Sequence, residues 1–490
     1  LRTAQSTQTT CDLYTTLRSN YTDNAAMSKP NATSRSDQSP LTLGTKLAYG
    51  AGDTGPAMTA NVLAFFMLFF FTNVAGLSPA LASSILLIGK VWDAVNDPLV
   101  GVLSDRTQSR WGRRYPWMIW GALPFGAAFI LQWLVPSANP WVLFVYYVGI
   151  SLVFNMAFTA VNLPYTALTP ELTQDYDERT SLNSFRFAFS LGGSIISLIL
   201  AQVIFRFVDD RWQYIVLATV CALIAVATIV WCVVGTWQRT MSGGASDAKA
   251  SESMPLRAQL RIAFSNRAFL FVIGIYLCAW LGVQVTAAIL PYFVVNWMAL
   301  PEDNFPLVAL AVQGTALVML FVWSAVSQKV GKKAVYFMGM ALWIMAQVGL
   351  VFLQPNQVAF MYGLAVLAGF GVSTAYLIPW SMMPDVIELD ELQTGQRREG
   401  IFYGFMVLFQ KVGLALGLFF VGQALELAGF QEQVAGQPTP IQPDSALLAI
   451  RIAIGPLPTI FLLLGLVLAY FYPITRELHA ETMLKLAERR

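Results

Sequence analysis

The sequence predicts an all-α integral membrane protein, twelve transmembrane helices in two six-helix halves. Three observations predict it. The chain is 56% hydrophobic and only 12% charged, too little polar surface for a soluble protein of 490 residues. Apolar windows of about 20 residues, the length of helix that crosses a bilayer, recur along it. Basic residues collect in every second loop. Continuous runs such as LAFFMLFFF argue against a membrane β-barrel, whose segments alternate over about ten residues.

In order, the windows fall at 47–75, 79–104, 116–136, 140–168, 184–207 and 212–236, then at 268–297, 305–327, 334–353, 357–384, 401–427 and 446–472. The Ser/Thr-rich residues 1–45 read as a disordered cytoplasmic tail with no signal peptide. Met27, opening MSKPNATSRSDQSP, reads as a start of translation. Residues 46–236 form the first bundle, 237–267 a cytoplasmic linker, 268–472 the second bundle and 473–490 a cytoplasmic C-terminal tail. The linker is read from the Gly/Ser and charge content of QRTMSGGASDAKASESM.

Loops after even-numbered spans hold Arg106, Arg110, Arg113 and Arg114, then Arg179, the linker's five bases, then Lys329, Lys332 and Lys333, then Arg397 and Arg398. Loops after odd-numbered spans hold only Arg206 and Arg211. The positive-inside rule then puts both termini in the cytoplasm, with the chain in a cell (inner or plasma) membrane. The sequons at Asn20 and Asn31 fall on the cytoplasmic side and are discounted.

The halves echo each other. LPYTALTPELTQDYDERTSLNSF (163–185) is matched by IPWSMMPDVIELDELQTGQRREGIF (378–402), with Pro164 on Pro379 and, after a one-residue gap, Pro170-Glu171 on Pro384-Asp385. More weakly, LSDRTQSRWGRR is echoed by VSQKVGKK. Two parallel six-helix halves around a midplane site is the architecture of major-facilitator transporters. An enzyme is not expected: HExxH, GxSxG, CxxC and P-loop patterns are missing, and the single histidine, His479, is in the tail. Cys11, Cys221, Cys232 and Cys278 show neither a disulfide framework nor metal spacing.

The second span carries Lys90, Asp93 and Asp97, and the acids, four residues apart, share one helix face. Each acid would cost roughly 2.5–3.5 kcal/mol at a bilayer centre, so both face the bundle and meet a partner. Lys90 on the same helix is one candidate partner. A monovalent cation is the other, since two carboxylates supply hard anionic ligands for Na⁺ or H⁺. The loop that follows, with Asp105, Arg106, Arg113 and Arg114, is either topology signal or a cytoplasmic gate. The gate's partners would be the acids Glu171, Asp175, Asp177 and Glu178 and, in the other half, Asp385, Glu388, Asp390 and Glu391.

KVWDAVNDPLVG followed by RWGRRYPW resembles the glycoside–pentoside–hexuronide:cation symporter family, the melibiose permease-like branch of the major facilitators. KLAYGAGDTG, TNVAGLS, LPYTALTP, FRFAFSLGG, PWSMMPDVIELDE and FQKVG fall in the family's order, so the likeness covers the chain after residue 45. It implies that Asp93 and Asp97 bind a coupling ion, Na⁺ or else H⁺ or Li⁺, assisted by Thr159. It implies that Arg186 and Lys411 are the family's basic residues at the substrate. Four positions depart: Ala57 and Asn162 stand where the family has acids, the latter shared between sugar and cation. Thr166 and Tyr376 stand where it has tryptophans. Trp380 and Tyr165, beside matching prolines, are expected to flank the cavity.

Two acids and an aromatic are lost and two bases kept, and VNLPYTALT and AYLIPWSMMPDVI resemble segments of another branch, the animal sodium-dependent lysophosphatidylcholine symporters, whose ion-site acids correspond to Asp93 and Asp97. The resemblance implies a cation-coupled symporter, with Na⁺ the expected ion, importing a sugar, glycoside or sugar acid by alternating access. A lysophospholipid or other amphipathic anion is the alternative, and an uncoupled sensor or scramblase the second. The expected partners are the solute, the cation and membrane lipid, with no nucleic acid, no cofactor beyond the coupling ion, and a monomer.

Overall fold

The computed structural model describes residues 41–107, 109–173, 176–208, 210–242, 256–396, 398–432 and 440–489. Most of the predicted N-terminal tail, the middle of the predicted linker, Asp175 and Arg397 lie outside them, as do the side chains of Asp105 and Asp177. In chain order the long helices are α1 (Leu43–Asn73), α2 (Pro79–Arg106), α3 (Tyr115–Leu131), α4 (Pro140–Thr166), α5 (Tyr176–Phe207) and α6 (Asp210–Ser242). The second set is α7 (Arg267–Trp297), α8 (Asn304–Val330), α9 (Lys332–Phe352), α10 (Val358–Thr394), α11 (Glu399–Leu427) and α12 (Asp444–Phe471). Ten of these are long and apolar enough to cross a membrane. The other two are α3, with 17 residues, and α2, which carries the charged triplet.

Local sequence sets the helix ends. Ser78 accepts from the Leu81 N–H ahead of Pro79, and Asn139 accepts from the Trp141 and Val142 N–H groups ahead of Pro140. Gly331 at φ 90° separates α8 from α9, and Gly395 at φ 69° ends α10, conformations that a side chain would strain. Helix also extends into the predicted linker and tail. α6 runs on to Ser242, a short helix covers Leu256–Ser265, and another covers Arg476–Arg489. The last is held on α10 by His479, whose Nε2 lies 2.8 Å from Glu388 Oε2.

The described residues from Thr42 onward form one unit, in which the halves meet along α2 with α11, α5 with α8, and α1 with α7. Each half has its own core. In the first, Phe70 packs edge-on to Trp133 at 5.0 Å and Trp133 stacks on Tyr214 at 5.7 Å. In the second, α9 and α10 approach so closely that a Cβ at Gly371 would lie 2.2 Å from the Trp343 Cβ. The odd–even alternation of the helices leaves the loops after even-numbered helices at one end, the basic end. The other end is called the far end below.

Candidate cation and substrate site

The charged triplet of α2 is held at a close crossing with α4. Gly89 makes that crossing possible, since a Cβ there would lie 2.4 Å from Ser151 Oγ. One turn on, Asp93 is buried and Asp97 half-buried, both facing α4 and α11. The Thr159 hydroxyl lies 3.3 Å from Asp93 Oδ1 and 3.0 Å from Asp97 Oδ1, so it donates to one carboxylate or the other. Lys411 reaches in from α11. Its Nζ is 3.1 Å from Asp93 Oδ2 and makes a short ion pair with Asp97 Oδ2. Lys90 is more distant, 3.9 Å from Asp93 Oδ2.

Two carboxylates, one hydroxyl and two ammonium groups therefore form a neutral cluster at mid-depth, and its Lys411 arm crosses from one half to the other. Lys411, expected beside the substrate, pairs in this structure with Asp93 and Asp97. It is the only Lys or Arg in the apolar run of α11, and the α2 acids are the charges that run faces. A lone base and two lone acids at matching depth were the signal available in the sequence. Asp93 thus has both the expected partner Lys90 and an unforeseen one from the other half, with Lys411 the nearer. Asn162, one turn beyond Thr159, has a buried Oδ1 without a hydrogen-bond partner.

A second charged pair occupies the first half. Arg186 Nε is 3.4 Å from Asp53 Oδ2, at the turn that interrupts α1, and the guanidinium lies 5.7 Å from the centre of the Tyr165 ring. Tyr165 is buried, stacks on Tyr49 at 5.1 Å and donates to the Tyr49 carbonyl. Asp53 lies one turn before Ala57, so a carboxylate is present on α1 four residues from the position where the family acid is missing. Thr166 is turned back on its own helix, donating to the Leu163 carbonyl at 2.9 Å.

The second half presents an aromatic wall. Tyr376 meets Trp280 at 6.0 Å, Trp280 stacks on Tyr276 at 5.9 Å, and Tyr276 meets Trp380 at 6.2 Å. Trp380 stacks on Tyr403 at 6.0 Å. Trp280, Tyr276 and Tyr403 were missed in the sequence, where single aromatics inside apolar helices look like any other core residue. The indole Nε1 of Trp280 is buried without a partner. At the basic end, Arg113 Nε and Arg114 Nε both donate to Glu171 Oε1, at 2.8 and 3.2 Å, and Arg114 also reaches Ser104 Oγ at 2.7 Å. Arg106 is exposed. Lys332 bonds both oxygens of Asp385 at 2.7 and 2.8 Å, the corresponding brace in the other half.

A family model described as MFS/sugar transport protein matches residues 48–476. The chain belongs to that family. It is a multi-pass membrane transporter and not an enzyme. The chain is 51% identical to the uncharacterized symporter sll1374 of Synechocystis sp., over 91% of this chain and 96% of the relative. It is 27% identical to the sodium-dependent lysophosphatidylcholine symporter 1-A of Danio rerio, over 89% of this chain and 87% of the relative. Among solved structures it is similar to the nucleoside transporter NupG, with a TM-score of 0.60 at 12% identity, covering 91% of this chain and 99% of that one. That likeness shows the major-facilitator fold alone.

Proposed function

We propose that this MFS/sugar transport family member is a cation-coupled symporter, driven by Na⁺, that imports a sugar, glycoside or sugar acid by alternating access. The observation that carries the reading is the meeting of Asp93, Asp97 and Thr159 with Lys411 from the other half. Three oxygen-bearing side chains converge from α2 and α4, a donor set suited to a hard monovalent cation. In their present arrangement the ammonium of Lys411 serves as a tethered counter-ion. An entering Na⁺ takes over the two carboxylates and releases Lys411, which removes an ion pair between the halves. Ion occupancy thereby biases the two-state equilibrium of the halves, which is what coupling requires.

The substrate lies, on this reading, between the Asp53–Arg186 pair and the aromatic wall of Trp280, Tyr376 and Trp380. A carboxylate and guanidinium suit sugar hydroxyls, and an aromatic face stacks on a pyranose ring. Asn162 and Thr166 on α4 complete the lining. One positive charge moving inward through 100 mV releases about 2.3 kcal/mol, roughly fifty-fold accumulation before any Na⁺ gradient. We place both termini in the cytoplasm, from the loop charges. Arg106, Arg113, Arg114 and Asp105 then form a cytoplasmic gate. Glu171 is held within its own half in this arrangement, and closure brings the loop to the acids at the end of α10.

A second reading, lysophospholipid import, is favoured by Ala57 and Asn162, positions without the acids of the sugar carriers, and by the similarity to the Danio rerio protein. Uptake into proteoliposomes of a labelled glycoside and a labelled lysophosphatidylcholine, with and without an inward Na⁺ gradient, separates the readings. Na⁺-driven glycoside accumulation supports the first and Na⁺-driven lysolipid uptake the second. Equilibration of either without accumulation refutes coupling.

A further inference from the structure

Alternating access needs a closure at each end of the bundle, and the far end contains one built from polar groups. We infer that Glu302 and Glu426 are the residues that latch the far end shut and so set the balance between the two access states. This rests on the reading that the halves rock about a midplane site. Both carboxylates belong to the second half, and both accept hydrogen bonds from the first. Glu302, in the connection between α7 and α8, accepts from Gln213 Nε2 at 2.8 Å and from Tyr214 Oη at 2.9 Å, near the start of α6. Glu426, in the last turn of α11, accepts from the Ala80 backbone N–H at 3.1 Å, in the first turn of α2.

The Ala80 N–H is one of the donors a helix leaves unpaired at its start, and it lies at the positive end of the helix dipole, so an anion from the opposite half is favoured there. One turn earlier on α11, Gln423 Nε2 reaches the Ala80 carbonyl and Ser83 Oγ, each at 3.4 Å. Gly422 permits this approach. A Cβ at that position would lie 2.3 Å from Ser83 Cβ and 2.7 Å from the Pro79 carbonyl oxygen. A third cross-half contact joins Thr72 and Tyr292 hydroxyls at 2.7 Å. At the same end Phe305 of α8 packs against Phe66 and Phe69 of α1, at 4.9 and 5.9 Å, and against Phe205 of α5 at 5.9 Å.

A gate has to be satisfied in both of its states. Carboxylates and helix N–H groups meet that demand, since they pair with each other when the halves close and with water when they part. The exchange costs little net free energy per bond, which keeps the two access states within reach of each other. The aromatic plug supplies water exclusion, and the two carboxylates supply register.

The test reads gate opening directly, with neither solute nor coupling ion required. Cysteine is introduced at Ala57→Cys, on the midplane part of α1, in a background with the native cysteines replaced. Its rate of reaction with a membrane-impermeant maleimide added from the outside is measured in oriented vesicles. Glu426→Ala should raise that rate about ten-fold, the size of one lost charge-assisted bond, Glu302→Ala, which loses two, should raise it more, and the double variant further still. The shape-preserving Glu302→Gln and Glu426→Gln should give smaller rises in the same order, which separates loss of the latch from misfolding. A rate that is unchanged or lowered in the Gln and Ala variants alike overturns the assignment. Because labelling requires no transport, failure of the Na⁺-symport reading would leave this result standing, and the reverse also holds.

Discussion

The cation cluster makes a prediction about charge balance that can be worked from its geometry. Lys411→Met keeps the length and apolar volume of the side chain and deletes the ammonium. Asp93, whose side chain is 2% exposed, and Asp97, at 31%, are then left as like charges one helical turn apart. Lys90, 3.9 Å from Asp93, offers the remaining compensation. Removing one partner of a buried pair costs about 3–5 kcal/mol, and the partial exposure of Asp97 favours the lower figure. At about 2–4 °C per kcal/mol for a domain of roughly half this length, Lys411→Met should melt about 6–12 °C below the parent in Na⁺-free detergent solution. Asp97→Asn alone leaves Asp93 paired with Lys411 and should cost about 1 kcal/mol.

The double variant Asp97→Asn/Lys411→Met removes an acid and a base together, so it should recover half or more of the Lys411→Met loss. Such coupling, of about 1–3 kcal/mol, is the range seen for residues in one ion-pair network. Added Na⁺ should raise the melting midpoint of Lys411→Met by more than that of the parent, because the ion no longer competes with a tethered ammonium. Strict additivity of the two substitutions, with Na⁺ stabilising both proteins equally, would refute the tethered counter-ion.

Other expected outcomes follow from the remaining contacts. Arg186→Ala frees Asp53 and exposes the Tyr165 face, so apparent substrate affinity in uptake assays should fall by ten-fold or more, with Na⁺ binding unchanged. Gly371→Ala forces a methyl against Trp343 and the Gly339 carbonyl, 2.6 Å away, and should destabilise the second half by about 1–3 kcal/mol, read as a lower melting midpoint. Glu171→Gln deprives Arg113 and Arg114 of their shared carboxylate. It should change the accessibility of the basic end to an impermeant maleimide while leaving Na⁺ binding in place.

Much of the fold was legible because lipid enforces it. Apolar windows of spanning length and alternate basic loops reflect the bilayer's thickness and charge rules, and α1 to α12 follow the windows closely. The departures lie where the bilayer is not the deciding medium. The end of α6, the helix Leu256–Ser265 and the helix Arg476–Arg489 carry polar sequences that resemble loops. Within the site, the α2 acids were legible because an unpaired charge in an apolar helix demands a reason. What those acids pair with was not legible in the same way. Lys411 lies 314 residues from Asp97, and only the packing of α11 on α2 brings them together. Asp53 and Arg186 are likewise joined across 133 residues, a pairing that gives Arg186 its own counter-charge.

Direct binding of radiolabelled Na⁺ to the purified protein tests the central claim most closely, since it needs no knowledge of the transported solute. The account predicts saturable binding in the parent, its loss in Asp93→Asn and in Asp97→Asn, and its retention with higher affinity in Lys411→Met. Binding that persists undiminished in both aspartate variants would contradict it.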